Sequence, residues 1–99
     1  MKFARVIGTV VSTQKEPVIE GRKFLLIQPV NIKFEPEGTP LVAVDAVGAG
    51  EGELILFVSG SSARQTTLTK NTPCDCAIMG IVDLVEKKGS VIYDKSKEE

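Results

Sequence analysis

The sequence predicts an all-β fold: a small five-stranded closed barrel with one short helical turn and a C-terminal hairpin. Three observations carry this reading. Short runs of Val, Ile, Leu and Phe recur along the 99 residues, and runs this short bounded by turn residues read as strands. The two central runs, 41–47 and 54–59, are joined by Gly48-Ala49-Gly50-Glu51-Gly52, a spacing of glycines that admits positive φ and close backbone approach. A second break, Gly60-Ser61-Ser62, follows at once, so strands from the rest of the chain must pair with these two.

The remaining elements follow in order. Residues 2–13, KFARVIGTVVST, favour a strand, and Gly8 inside it marks a bulge or a barrel bend. Gln14 to Pro17 breaks the run, and Glu20-Gly21 reads as a turn. Residues 23–28 form the second strand, with an extension around Pro29 toward Phe34 left open; a proline there suggests an edge or a strand end. Residues 35–40, EPEGTP, are a loop. Ser62 and Gln65 have capping-box spacing, but Thr66 and Thr67 limit the helix over 61–67 to about one turn. Residues 68–73 are an irregular connection. The apolar run 77–85 is read as one strand, because its β-branched content and Gly80 disfavour a helix. Lys87-Lys88-Gly89 turns the chain into a short strand, 90–93. Residues 1–95 read as one domain and 96–99 as a charged tail, with the chain from Asp94 onward expected to fray. Strands, turn and loops together suggest a barrel of the oligonucleotide/oligosaccharide-binding type.

Composition narrows the function. Twelve basic against thirteen acidic residues give a net charge of −1, which argues against a strong phosphate-backbone binder. A single-stranded nucleic-acid binder needs exposed stacking aromatics, and most of the four Phe lie inside apolar runs. No run of about 18 apolar residues suggests a membrane span. The N-terminal MKFAR is not followed by a long apolar stretch, so no signal peptide is expected and the cytoplasm is the expected location. Cys74 and Cys76 are then expected as thiols rather than a disulfide.

The candidate chemistry is sparse. There is no histidine, which removes the commonest general base and metal ligand. Cys74-Asp75-Cys76 is a lone CxC without a second pair, so packing is the preferred role. The Gly48 to Gly52 stretch lacks the GxGxxG spacing that opens a helix; a turn between strands fits better. Ser61, Ser62 and Arg64 could hold an anion. A capped turn with a surface arginine is preferred unless a partner supplies a carboxylate or carbonyl. Asp45 has no partner acid or base nearby, and an acid at a strand end commonly accepts hydrogen bonds from loop amides. No catalytic residue, cofactor or metal is expected.

The strands carry a tension. A lone barrel alternates apolar inward and polar outward, yet residues 24–27, 54–58 and 81–82 place apolar groups on both faces. The outer face needs a cover, and a neighbouring subunit is the preferred one. Loops and the C-terminal hairpin are the alternative.

Several ordered motifs together resemble one family. They are residues 4–15, ARVIGTVVSTQK; residues 42–53, VAVDAVGAGEGE; residues 58–65, VSGSSARQ; and residues 80–83, GIVD. The chain from Met1 to about Lys95 is similar to the pentameric vertex proteins of bacterial microcompartments, the family of the carboxysome and ethanolamine-utilisation vertex proteins. The resemblance implies a five-stranded barrel with a short helix, assembled as a homopentamer that closes the corners of a polyhedral shell tiled by hexamers. The implied place is the shell in the bacterial cytoplasm, in a catabolic compartment, with the carboxysome as the alternative. It implies that Gly60, Ser61, Ser62, Ala63 and Arg64 lie at the outer edge where pentamer meets hexamer. Asp45, Gly48, Ala49 and Gly50 would form a structural turn in the ring. Cys74 and Cys76 depart from the family pattern.

Overall fold

The computed structural model describes residues 1–11, 23–60 and 76–98. Strands β1 (Lys2–Val10), β2 (Phe24–Pro29), β3 (Leu41–Asp45), β4 (Leu54–Ser59) and β5 (Cys76–Ile81) close into a barrel in the order β1-β2-β3-β5-β4. The β3–β5 pair is parallel and the others are antiparallel. Strands β6 (Leu84–Lys87) and β7 (Ser90–Asp94) form a separate hairpin, followed by a 3-10 turn, Lys95–Lys97. The all-β barrel and the C-terminal hairpin are as the sequence predicts. The helical turn expected over 61–67 and the connection over 68–73 lie outside the described residues.

Register explains the core. Val6 stands opposite Ile27 and Leu25 opposite Ala43, while Ala4 stands opposite Ile55 and Phe57 opposite Ile78. Because side chains alternate along a strand, these pairs share one face, and all of them are buried inside the barrel with Ala49 and Cys76. The register of β1 shifts between Val6 and Gly8, the bulge that the glycine predicts. A second shift, between Leu56 and Phe57 of β4, lies opposite the Gly80 end of β5. Pro29 ends β2. Beyond it Val30 makes an isolated bridge to Pro36 and donates its amide to the Phe3 carbonyl at 3.1 Å, and Asn31 Oδ1 caps a turn by accepting from the Lys33 and Glu35 amides at 2.9 and 3.1 Å. The strand therefore does not extend to Phe34, whose φ is 62°.

Two expectations are corrected. The run 77–85 is not one strand: β5 ends at Ile81, and the chain leaves the barrel at Val82-Asp83. Its partner β4 begins at Leu54, whose carbonyl accepts from the Val82 amide at 2.9 Å. Past that point the barrel offers no partner, so Leu84 onward pairs with β7 instead. Lys88 and Gly89, at φ of 52° and 81°, form the two-residue connection between Lys87 and Ser90, and positive φ at both central positions matches the twist of a hairpin. Residues 94–98 also form a capped turn rather than a frayed tail. Asp94 caps the 3-10 turn by accepting from the Ser96 amide and hydroxyl, and the Lys95 amide donates to the Asp83 carbonyl at 2.9 Å.

The two-faced strands are covered in part by the chain itself. Leu54, Val82 and Tyr93 are buried together on the outside of the barrel, with Phe3, Val30, Phe34, Leu56 and Val85 against them. Phe34 sits between Phe3 and Tyr93 at centroid distances of 5.8 and 5.6 Å, spacings favourable for aromatic pairs. This is the hairpin cover that stood as the alternative. It does not reach the other side. Val42 faces Leu26, which faces Gly8, and Ile7, Val42 and Val47 stay 42%, 51% and 40% exposed.

Candidate functional site

The loop between β3 and β4 is built by two carboxylates. Asp45 is the last residue of β3, with its side chain buried. Its Oδ1 accepts from the amides of Val47, Gly48 and Ala49 at 3.0, 3.0 and 3.2 Å. One acceptor thus satisfies three donors that would otherwise be costly to leave unpaired. Lys23 closes the other side: its Nζ lies 3.6 Å from Asp45 Oδ2 and donates to the Ala49 carbonyl at 3.0 Å. Ala49 is driven into the barrel core by this fold of the chain. Gly48 has a φ of 80°, a region that only glycine enters without strain.

Glu53 governs the second half. Its Oε1 accepts from the Gly50 amide at 2.6 Å, and the Glu53 amide donates to the Gly50 carbonyl at 3.2 Å. Gly52, at φ 88°, occupies the third position of this turn, where positive φ calls for glycine. The loop is tied to β1 by Gly52 amide to Val6 carbonyl at 2.8 Å, Val6 amide to Glu53 carbonyl at 3.0 Å, and Arg5 Nη1 to Gly52 carbonyl at 3.1 Å. Glu53 Oε2 also accepts from Lys95 Nζ in the C-terminal turn. That contact, followed by the Gly50 amide, holds Glu53 below the ordinary glutamate range against the opposing effects of burial and Asp45. The same Glu53 hydrogen bond raises Lys95, with Asp83 and Tyr93 adding to it.

The sequence model of the family described as ethanolamine utilisation protein EutN/carboxysome matches residues 1–83. This chain belongs to that family. It is 46% identical over 86 residues to the bacterial microcompartment shell vertex protein GrpN of Rhodospirillum rubrum, covering 87% of this chain and 97% of that one. It is 43% identical to the carboxysome shell vertex protein CcmL of Gloeobacter violaceus, covering 99% and 98%. The solved structure of that CcmL superposes with a TM-score of 0.92 over 98% of this chain and all of the other. A structure described as the GrpN pentameric microcompartment shell protein from Rhodospirillum rubrum superposes at 0.79, with 45% identity over 88% and 99% of the two chains.

Within this family member, Asp45, Gly48, Ala49 and Gly50 come together in one loop, as the sequence groups them. The amide-accepting role read for Asp45 is what its geometry shows. Gly60 directly follows β4, with a φ of 68°; Ser61, Ser62, Ala63 and Arg64 lie outside the described residues, as does Cys74. Cys76 packs in the barrel core. Every aromatic ring belongs to an apolar cluster, so none forms a free stacking platform. Sequence reasoning missed Arg5, Lys23, Lys95 and Glu98. Arg5 donates to Gly52, pairs with Glu98 at 3.2 Å and lies 5.6 Å over the Tyr93 ring. These partners are separated by up to 93 positions, and no local motif announces such a pair.

Two outcomes are expected. Gly48→Val should cost about 1–3 kcal/mol through its left-handed backbone, whereas Gly50→Val should cost less, since a Cβ at Gly50 meets Glu53 Oε1 at an ordinary 3.5 Å. Paired melting curves check this; equal losses would show that φ at Gly48 is not the constraint. The second outcome concerns acid. A depressed glutamate contributes stability that is present above its unfolded pKa of about 4.3 and lost as pH falls through the folded value. The raised Lys95 contributes below its unfolded value of about 10.4 and loses its contribution as pH rises further. The Glu53–Lys95 contact is therefore intact across neutral pH and should release only in acid, below the ordinary glutamate range. Amide exchange of the Lys95–Lys97 turn, compared at pH 7 and below 4 after correction for intrinsic rates, reads it out; equal protection at both would refute it.

Proposed function

We propose that the chain is a structural shell protein that assembles as a homopentamer and caps the vertices of a bacterial microcompartment. The observation that carries this reading is the agreement of the whole fold with shell vertex proteins, one of which is described as pentameric. The surface supports it. A ring of five has no two-fold axis between neighbours, so each contact joins two different patches. Exposed apolar side chains stand on several elements: Ile7 on β1, Val42 on β3 and Val47 just after it, Ile32 after β2, and Leu84 and Val91 on the hairpin.

The compartment is of the catabolic type in this reading, supported by the EutN relative of Salmonella typhimurium at 40% identity over 96% of both chains. The carboxysome is the alternative, and the enzymes that co-purify with the shell distinguish them. The partners are further copies of the chain and hexameric shell tiles. Gly60 to Arg64 is the proposed contact with the tiles: small residues allow close approach, and one arginine offers a planar fork of donors for carbonyls or a carboxylate.

Five copies of a 10.6 kDa subunit give a ring of about 53 kDa. Native mass spectrometry at micromolar concentration should show that species, and a stable monomer would defeat the assembly reading. Arg64→Ala should leave the free ring folded, within about 0.5 kcal/mol, as a surface change does. It should lower the pentamer-to-hexamer ratio in shells co-expressed with hexameric tiles. Loss of the free ring would instead make Arg64 an internal contact; an unchanged ratio would remove its recognition role.

A further inference from the structure

The C-terminal turn grips the β3–β4 loop from outside the barrel. Lys95 reaches Glu53, whose second oxygen holds the Gly50 amide. Glu98 reaches Arg5, whose other nitrogen holds the Gly52 carbonyl. Tyr93 lies beneath the Arg5 guanidinium at 5.6 Å and is itself buried. The two ion pairs therefore act on the two ends of one turn, each through a side chain that already binds the loop backbone. The loop side of this arrangement, Arg5 and Gly50 to Glu53, falls within the family match at 1–83; the gripping side, Tyr93, Lys95 and Glu98, falls beyond it.

We propose that the C-terminal turn is a clasp that sets the conformation of the 50–53 loop, and that ring assembly draws on this pre-set loop. The second half rests on the pentamer reading above. Each pair alone is weak, because surface ion pairs contribute little. Their effect comes from geometry: Glu53 and Arg5 each bridge tail and loop, so ordering the tail removes freedom from the loop before a neighbour arrives. Binding to a pre-ordered surface avoids an ordering cost at association.

The test uses the full chain and two readouts. Lys95→Ala, Glu98→Ala and the double variant are compared with Lys95→Arg, which keeps the charge. Hydrogen exchange at the Gly50, Gly52 and Glu53 amides should rise about two- to fivefold in each alanine variant and further in the double variant. Exchange at Leu25 and Ile27 in β2 should not change, and Lys95→Arg should restore the loop. Native mass spectrometry of the same samples should show dissociation at higher protein concentration in the alanine variants. Unchanged loop exchange overturns the clasp whatever the ring does, and so does a rise spread evenly over the barrel. Raised loop exchange with an unaltered ring overturns the link to assembly. A wild-type chain that is monomeric throughout defeats the pentamer reading instead, and the exchange data then judge the clasp alone.

Discussion

The barrel closes through its shortest pairing, the parallel contact of β3 with β5, where Val44 meets Ala77 and Asp45 meets Ile78. Without it β3 and β5 would each present an open edge, and open edges invite pairing with other chains. Asp45 stands at this closure and also anchors the following loop through three amides. One buried carboxylate thus fixes where β3 stops, how the chain turns away, and why Ala49 returns to the core. A buried charge is tolerated when it is hydrogen-bonded and paired; the amides and Lys23 meet that condition.

Closure leaves the outer faces to be settled, and the chain settles them unequally. The hairpin and its aromatic triad cover β4 and the start of β1. Val44 and Ala77 are buried in a second small group with Phe24 and Val58. Among the described residues, the side formed by Ile7 and Val42 has no such cover. A chain of 99 residues has little surplus stability to spend on an uncovered apolar face, so this asymmetry is more than ornament for a shell component.

Much of this was legible in the residues. Strand identity came from short β-branched runs, the β1 bulge from Gly8, and the hairpin from Lys88-Gly89. Each is a local rule, and each held because the signal lies within a few positions. The misses share a different cause. The run 77–85 is continuous in apolarity, and its division at Val82 depends on where β4 begins, 28 positions earlier by numbering. The charged tail looked unstructured because its partners, Arg5 and Glu53, are distant in sequence. The glycine loop was located correctly, but not which of its glycines need positive φ: Gly48 and Gly52 have it, and Gly50 does not. Composition shows that glycine is needed there; only the hydrogen-bond pattern shows where.

The unequal cover also bears on how folding and assembly relate. Apolar area left on a subunit weakens it as a monomer and favours its association, so part of the stability resides in the contact between copies. In a ring of five this contact is head-to-tail, so every subunit presents two different surfaces to its neighbours. A segment ordered before association costs less to bind, since each flexible residue fixed on binding subtracts from the binding free energy. The β3–β4 loop is held from two directions: Asp45 and Lys23 hold its first half from the barrel, and Glu53 and Arg5 hold its second half against the C-terminal turn. Two sets of fastenings converge on one short loop, which makes its shape a property of the folded subunit.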